Sequence, residues 1–166
     1  MSSTNTAFVE TQLMIRKPVQ EVFQAFIDPG ITTKFWFTKS TGKLEEGKTV
    51  TWEWEMYNVS AQVLTKQIIP NTLIATEWGN PATNVDYAFT AISPEQTLVV
   101  IKNYGFNLSG DALIAAIKDS TGGFTSVLDG CKAWLEHAIE LNLVLDKFPG
   151  KGNADPKTIS EWQQEM

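Results

Sequence analysis

Over most of the chain, hydrophobic and polar positions alternate; in a few places the period lengthens to three or four residues. Thr49 to Met56 alternates cleanly: Val50, Trp52, Trp54 and Met56 point one way, Thr51, Glu53 and Glu55 the other. This is the pattern of an antiparallel strand with one buried face. Ala7 to Ile15, Val59 to Ile69, Leu73 to Trp78, Val85 to Ala91 and Thr97 to Phe106 read as further strands. Tyr57-Asn58, Pro70-Asn71, Gly79-Asn80-Pro81 and Ser93-Pro94-Glu95 punctuate them, so successive strands predict an antiparallel meander.

The helical period starts after Lys17-Pro18, where a proline suits the first turn because its missing N–H would find no partner there. Val19, Val22, Phe23, Phe26 and Ile27 form the apolar stripe, and Asp28-Pro29-Gly30 ends it. Ile31 to Phe37 reads as a second short helix, and Asp111 to Lys118 as another. Gly122-Gly123 then opens a long helix. Phe124, Val127, Leu128, Cys131, Trp134, Leu135, Ala138, Ile139 and Leu145 make its stripe, opposite Asp129, Lys132, Glu136 and Glu140. It spans about seven turns, roughly 39 Å, up to the break at Phe148-Pro149-Gly150. Residues 1–147 read as one domain and residues 148–166 as a polar tail. In that tail, Asp155-Pro156, Ile159 and Trp162 suit a short helix that docks on the domain. The class is α+β: a curved antiparallel sheet of about six to seven strands around a long C-terminal helix, with two short helices after the first strand. A curved sheet does not close fully on a straight cylinder, and the space left is a natural apolar cavity.

Composition narrows the chemistry. With 166 residues, 43% hydrophobic and 19% charged, the chain suits one domain that holds a core without staples. Lys and Arg number 13 against 19 Asp and Glu, for a net charge of −6, and the lysines are scattered singly. Such a chain repels phosphate backbones, so nucleic acid is not an expected partner. The one cysteine, Cys131, and the one histidine, His137, exclude an internal disulfide and argue against a zinc or other transition-metal centre. Gly122-Gly123 lacks the Lys-Ser or Lys-Thr pair of a phosphate-binding loop, and no cofactor is expected. The polar start Met1 to Thr6 is unlike a signal peptide and no apolar run has membrane-spanning length, so the reading is a soluble, cytoplasmic protein. Six Trp, nine Phe and three Tyr are unusual, and rings line both cores and small-molecule pockets.

Four segments carry a family resemblance. They are P-V-Q-E-V-F-Q-A-F-I-D-P-G-I-T-T-K-F-W (Pro18 to Trp36), V-L-T-K-Q-I-I-P-N-T-L-I-A-T-E-W (Val63 to Trp78), T-L-V-V-I-K-N-Y-G-F (Thr97 to Phe106) and G-F-T-S-V-L-D-G-C-K-A-W-L (Gly123 to Leu135). In order and spacing the chain resembles the START-like (SRPBCC, birch-pollen-allergen-like) superfamily, over about residues 7 to 147. Within it, the chain is most similar to the family of homologues of the activator of heat-shock protein 90 ATPase. The resemblance implies a helix-grip fold. That superfamily includes lipid and steroid carriers, polyketide cyclases, hormone receptors and co-chaperones, so function rests on the site.

The expected pocket lies between sheet and long helix. Trp52, Trp54, Val85, Tyr87, Phe89, Val99 and Ile101 would face it from the strands, and Phe124, Leu128, Cys131, Trp134 and Leu135 from the helix. Trp36 and Phe37 would cap the mouth, and the loop Leu108-Ser109-Gly110 would control access together with the short helices. Any one of these rings taken alone reads better as plain core, and the pocket rests on the set and on the fold rather than on a single ring. Asn103 shares the face of Val99 and Ile101; it reads either as the polar group that orients a ligand or as a strand-end residue bonded to backbone. His137 reads as a border histidine rather than a base, Cys131 as a small apolar residue, and Glu53 and Glu55 as a solvated sheet face. The expected function is binding of a small apolar or aromatic molecule. The alternatives are a protein-interaction domain with a chaperone partner and, with no acid–base pair to support it, a cyclase or hydrolase.

Overall fold

In the computed structural model, which describes residues 6–149, the alternating segments become one seven-stranded antiparallel sheet. Its strands are β1 (Phe8–Ile15), β2 (Lys39–Ser40), β3 (Thr49–Trp54), β4 (Val59–Ile69), β5 (Leu73–Trp78), β6 (Thr83–Ser93) and β7 (Gln96–Tyr104). The spatial order is β1-β7-β6-β5-β4-β3-β2, so β3 to β7 form the predicted meander and β1 returns to pair with β7. Register sets the faces. Val85 lies opposite Asn103, Tyr87 opposite Ile101 and Phe89 opposite Val99, and all six turn to the concave, buried side. β3 stops at Trp54 rather than Met56, because Glu55–Tyr57 form a 3₁₀ turn that ends in left-handed Asn58. β2 is only two residues long and carries no alternation by which the sequence could show it.

The helices depart further from expectation. α1 (Val19–Ile27) buries Val22, Phe23, Ala25 and Phe26. α2 (Pro29–Thr32) starts earlier than predicted: the Asp28 carboxylate accepts the Gly30 N–H at 2.9 Å and Pro29 takes the first turn. Asp28-Pro29-Gly30 therefore ends one helix and begins the next. α3 (Gly110–His137) is one continuous helix of 28 residues, about 42 Å long, where two were expected. Gly122-Gly123 lies inside it, since an amphipathic stripe on both sides outweighs two glycines that each cost about 1 kcal/mol. The long helix also ends sooner. Ala138 turns left-handed at φ 54°, and Asn142 does so again at φ 57°. The chain then folds back as α4 (Leu143–Lys147), so Ile139 and Leu145 belong to no stripe of α3. The proposed tail helix with Ile159 and Trp162 lies outside the described residues.

α3 crosses the concave face and also shields the outer edge of β1. Lys132 Nζ donates to the Met14 carbonyl at 2.9 Å, and the Arg16 N–H donates to the Glu136 carboxylate at 2.7 Å. Edge groups that would otherwise invite another strand are thus satisfied by side chains of the helix. No described helix is long and apolar enough to cross a membrane.

Candidate functional site

The concave face is filled unevenly. Towards α1 and α2 the rings interlock: Phe26 meets Phe35, Tyr87 and Phe89 at centroid distances of 5.6, 5.6 and 5.7 Å. Phe37 stacks on Trp52 at 4.4 Å beneath Trp36. Towards the N-terminal half of α3 the packing opens into a cavity of about 360 Å³. Trp36, Trp54 and Trp78 wall it from the sheet side, Phe124 from α3, and Tyr57 and Phe148 from the rim. Trp36 lies 6.5 Å from Trp54, 5.9 Å from Trp78 and 5.8 Å from Phe124, mostly edge to face. Space remains because α3 presents Ala116, Ser120 and Gly123 to these rings. A Cβ added at Gly123 would meet nothing within 4 Å. A second, adjoining hollow of about 420 Å³ shares Trp54, Tyr57, Trp78, Val144 and Phe148 and runs out over Val59 and Ala61.

Polar groups are few: besides Ser126 on α3, they gather in two places. At the inner end, Asn103 Nδ2 donates to Thr83 Oγ1 at 2.9 Å and to the Asn84 carbonyl at 2.8 Å, and Ser120 Oγ donates to Asn103 Oδ1 at 2.7 Å. At the mouth stand Asp119 and Lys147, both exposed. α4 closes the outer side. The Tyr57 hydroxyl donates to the carbonyls of Val144 and, at 3.0 Å, Leu145. Burial pushes the Tyr57 phenol above its ordinary pKa; the Phe148 backbone opposes this and the Asp146 charge adds to it. It therefore stays a protonated donor.

The predicted pocket residues divide into three groups. Trp36, Trp54, Asn103 and Phe124 line the cavity. Phe37, Trp52, Val85, Tyr87, Phe89, Val99, Ile101, Leu128 and Cys131 lie in the packed core and do not line it. Trp134 and Leu135 are partly buried against that core, with Lys34 Nζ 5.4 Å from the centre of the Trp134 ring. Trp36 is a wall rather than a cap, and Phe37 is a floor beneath it. The mouth is formed by α4 and Phe148 rather than by the short helices, and Leu108-Ser109-Gly110 does not touch it. Burial pushes the Tyr87 phenol and the Cys131 thiol upward, with Asp86 and Glu136 respectively adding to it. His137 is the last residue of α3, largely exposed, with Nε2 3.8 Å from Glu136.

Sequence reasoning missed Tyr57, Trp78, Ser120, Val144 and Phe148. Trp78 was legible, since it falls on the face of Ile74 and Thr76 in β5. The α4 residues were not, because two left-handed turns place them. Among the described residues, no group of three His, Cys, Asp or Glu could hold a metal ion.

The family model for activator of Hsp90 ATPase homolog 1-like proteins matches residues 16–136. The chain belongs to this family. No curated protein sequence matches the chain significantly. Among solved structures, a Staphylococcus saprophyticus protein is 26% identical with a TM-score of 0.72, covering 81% of this chain and 96% of its own. The Aha1 dimer from Colwellia psychrerythraea is 16% identical with a TM-score of 0.67, covering 80% and 98%. A Mesorhizobium loti protein is 16% identical with a TM-score of 0.69, covering 80% and 99%. The two more distant likenesses speak to the helix-grip fold alone. The family model stops at residue 136, so α4, which closes the cavity in this member, lies beyond it.

Proposed function

We propose that this family member binds a small apolar or aromatic molecule between its sheet and α3. The observation that carries this reading is the unfilled space among six aromatic rings, left where α3 presents small residues beside Phe124. A volume of about 360 Å³ lies within the range of small-molecule pockets, which are mostly apolar with a few placed polar groups. Burial of the ligand would supply roughly 25 cal/mol per Å² of apolar area. The test is a thermal-shift panel of fatty acids, sterols, flavonoids and aromatic polyketides on the wild type and Gly123→Leu. A saturable rise in Tm that the leucine abolishes is expected. Silence across the panel from a folded wild type would sink the reading.

A second reading, a protein-interaction domain, draws on the exposed Ile139, Leu141 and Leu145 around the start of α4. The partner would be heat-shock protein 90. ATPase stimulation by the wild type that Leu141→Asp removes, with ligand shifts unchanged, would favour it. No stimulation by the wild type would count it out.

A further inference from the structure

Resting on the ligand-binding reading, the hydrogen-bond inventory at the inner end of the cavity says what kind of polar group a ligand places there. Asn103 is 3% exposed, yet it lines the cavity. Its amide has two N–H donors, and both are used: one by Thr83 Oγ1 on β6, one by the Asn84 carbonyl. Its carbonyl oxygen accepts the hydroxyl proton of Ser120, which has only that one proton to give. A carbonyl oxygen has two acceptor sites, and one of them is used here. The groups that Asn103 and Ser120 still have available to the cavity are therefore lone pairs, with no proton left to donate.

We infer that Asn103 Oδ1 accepts a hydrogen bond from the ligand, so that the cavity selects aromatic molecules carrying a hydroxyl or N–H donor over those presenting an ether, carbonyl or carboxylate oxygen. An acceptor group placed at that end would face lone pairs beside the buried Asn103 amide and would lose its water without compensation. A donor regains its hydrogen bond on entry. A site built to bond a hydroxyl rejects the analogue that lacks it more strongly than an apolar wall rejects a change of size. The surrounding rings set the rest of the class: flat and aromatic, lying against the cluster of Trp36, Trp78 and Phe124, whose centroids are 5.5 to 5.9 Å apart.

The test compares 2-naphthol with 2-methoxynaphthalene by calorimetry, two probes that share the ring system and differ in the donor. The wild type is expected to bind 2-naphthol about fivefold more tightly or better. Ser120→Ala is expected to keep that preference, because Asn103 Oδ1 loses a donor and stays an acceptor for the ligand. Asn103→Leu is expected to bring the ratio to about one while both probes still bind. Equal affinities in the wild type overturn the inference, and so does loss of the preference in Ser120→Ala. Should Asn103→Leu fail to fold, the wild-type ratio and Ser120→Ala still decide. Failure of the underlying reading looks different: neither probe binds the folded wild type, or Gly123→Leu binds both as well as the wild type does. Either result overturns the inference along with the reading.

Discussion

The two halves of the concave face use the same kinds of residue to opposite ends. Around Phe26, aromatic side chains of the sheet meet aromatic and branched side chains from α1 onward, with ring centroids 5.6 to 5.7 Å apart. Around Trp78 the sheet presents rings of equal bulk, but α3 answers with one ring, Phe124, and otherwise with Ala116, Ser120 and Gly123. The cavity is therefore a property of the helix rather than of the sheet. Whether a ring serves as core or as pocket wall depends on the size of what faces it, because interiors otherwise pack to crystal-like density.

Truncation is the strongest way to break this comparison. Phe26→Ala removes a ring from the filled half and should lower unfolding free energy by about 3–5 kcal/mol in urea titration. Phe148→Ala, at the half-buried rim of the open half, should cost about 1 kcal/mol or less. Equal costs would mean that the two halves are packed alike.

A smaller effect tests the seam that holds α3 over the filled half. Burial of Glu136 opposes its charge, but the Arg16 N–H, the Lys132 ammonium 2.6 Å away and His137 outweigh it. Its carboxyl is thus held below the usual range. A lowered folded pKa gives stability that is fully present above the unfolded value of about 4.3 and is lost as pH falls through the folded one. Glu136→Gln should cost about 1 kcal/mol at neutral pH, screened as the pair is by nearby water, and the difference from wild type should fade in acid. A cost that stays constant down to the acid limit would argue against the ion pair.

The finest contrast needs only a methyl group. Gly123→Ala enters open space in a helix interior and should stabilise by about 0.5–1 kcal/mol. Gly130→Ala on the same helix would place its Cβ 3.1 Å from Phe35 Cβ and 3.2 Å from the Phe35 carbonyl oxygen, and should destabilise by about 1 kcal/mol. Melting curves with the same sign for both would erase the distinction between the open and closed faces of α3.

Most of the sheet was legible from alternation alone, because a period of two with one buried face leaves little freedom in register. Val59–Ile69 and Leu73–Trp78 match their predicted limits, and Val85, Tyr87 and Phe89 share a face as expected. The site was less legible. Trp36, Trp54, Asn103 and Phe124 were among the residues named, but nine of the others lie in packed core. Apolarity marks what is buried without saying whether space is left beside it. Asn103 was open to two readings, orientation of a ligand or bonding to backbone, and in the structure its amide bonds the Asn84 backbone while the residue lines the cavity.

Hydrophobic periodicity by itself determined the α+β class, the meander, the faces of its strands and the amphipathic character of α3. Those are local patterns, each written within a few turns or a few pleats of chain. Tertiary structure decided where α3 ends, that α4 folds back over the mouth, and which rings stay unmatched. Those outcomes depend on left-handed turns at Ala138 and Asn142 and on small residues meeting large ones from distant parts of the chain. Volume is a sum over partners, and the partners are known only once the chain has folded.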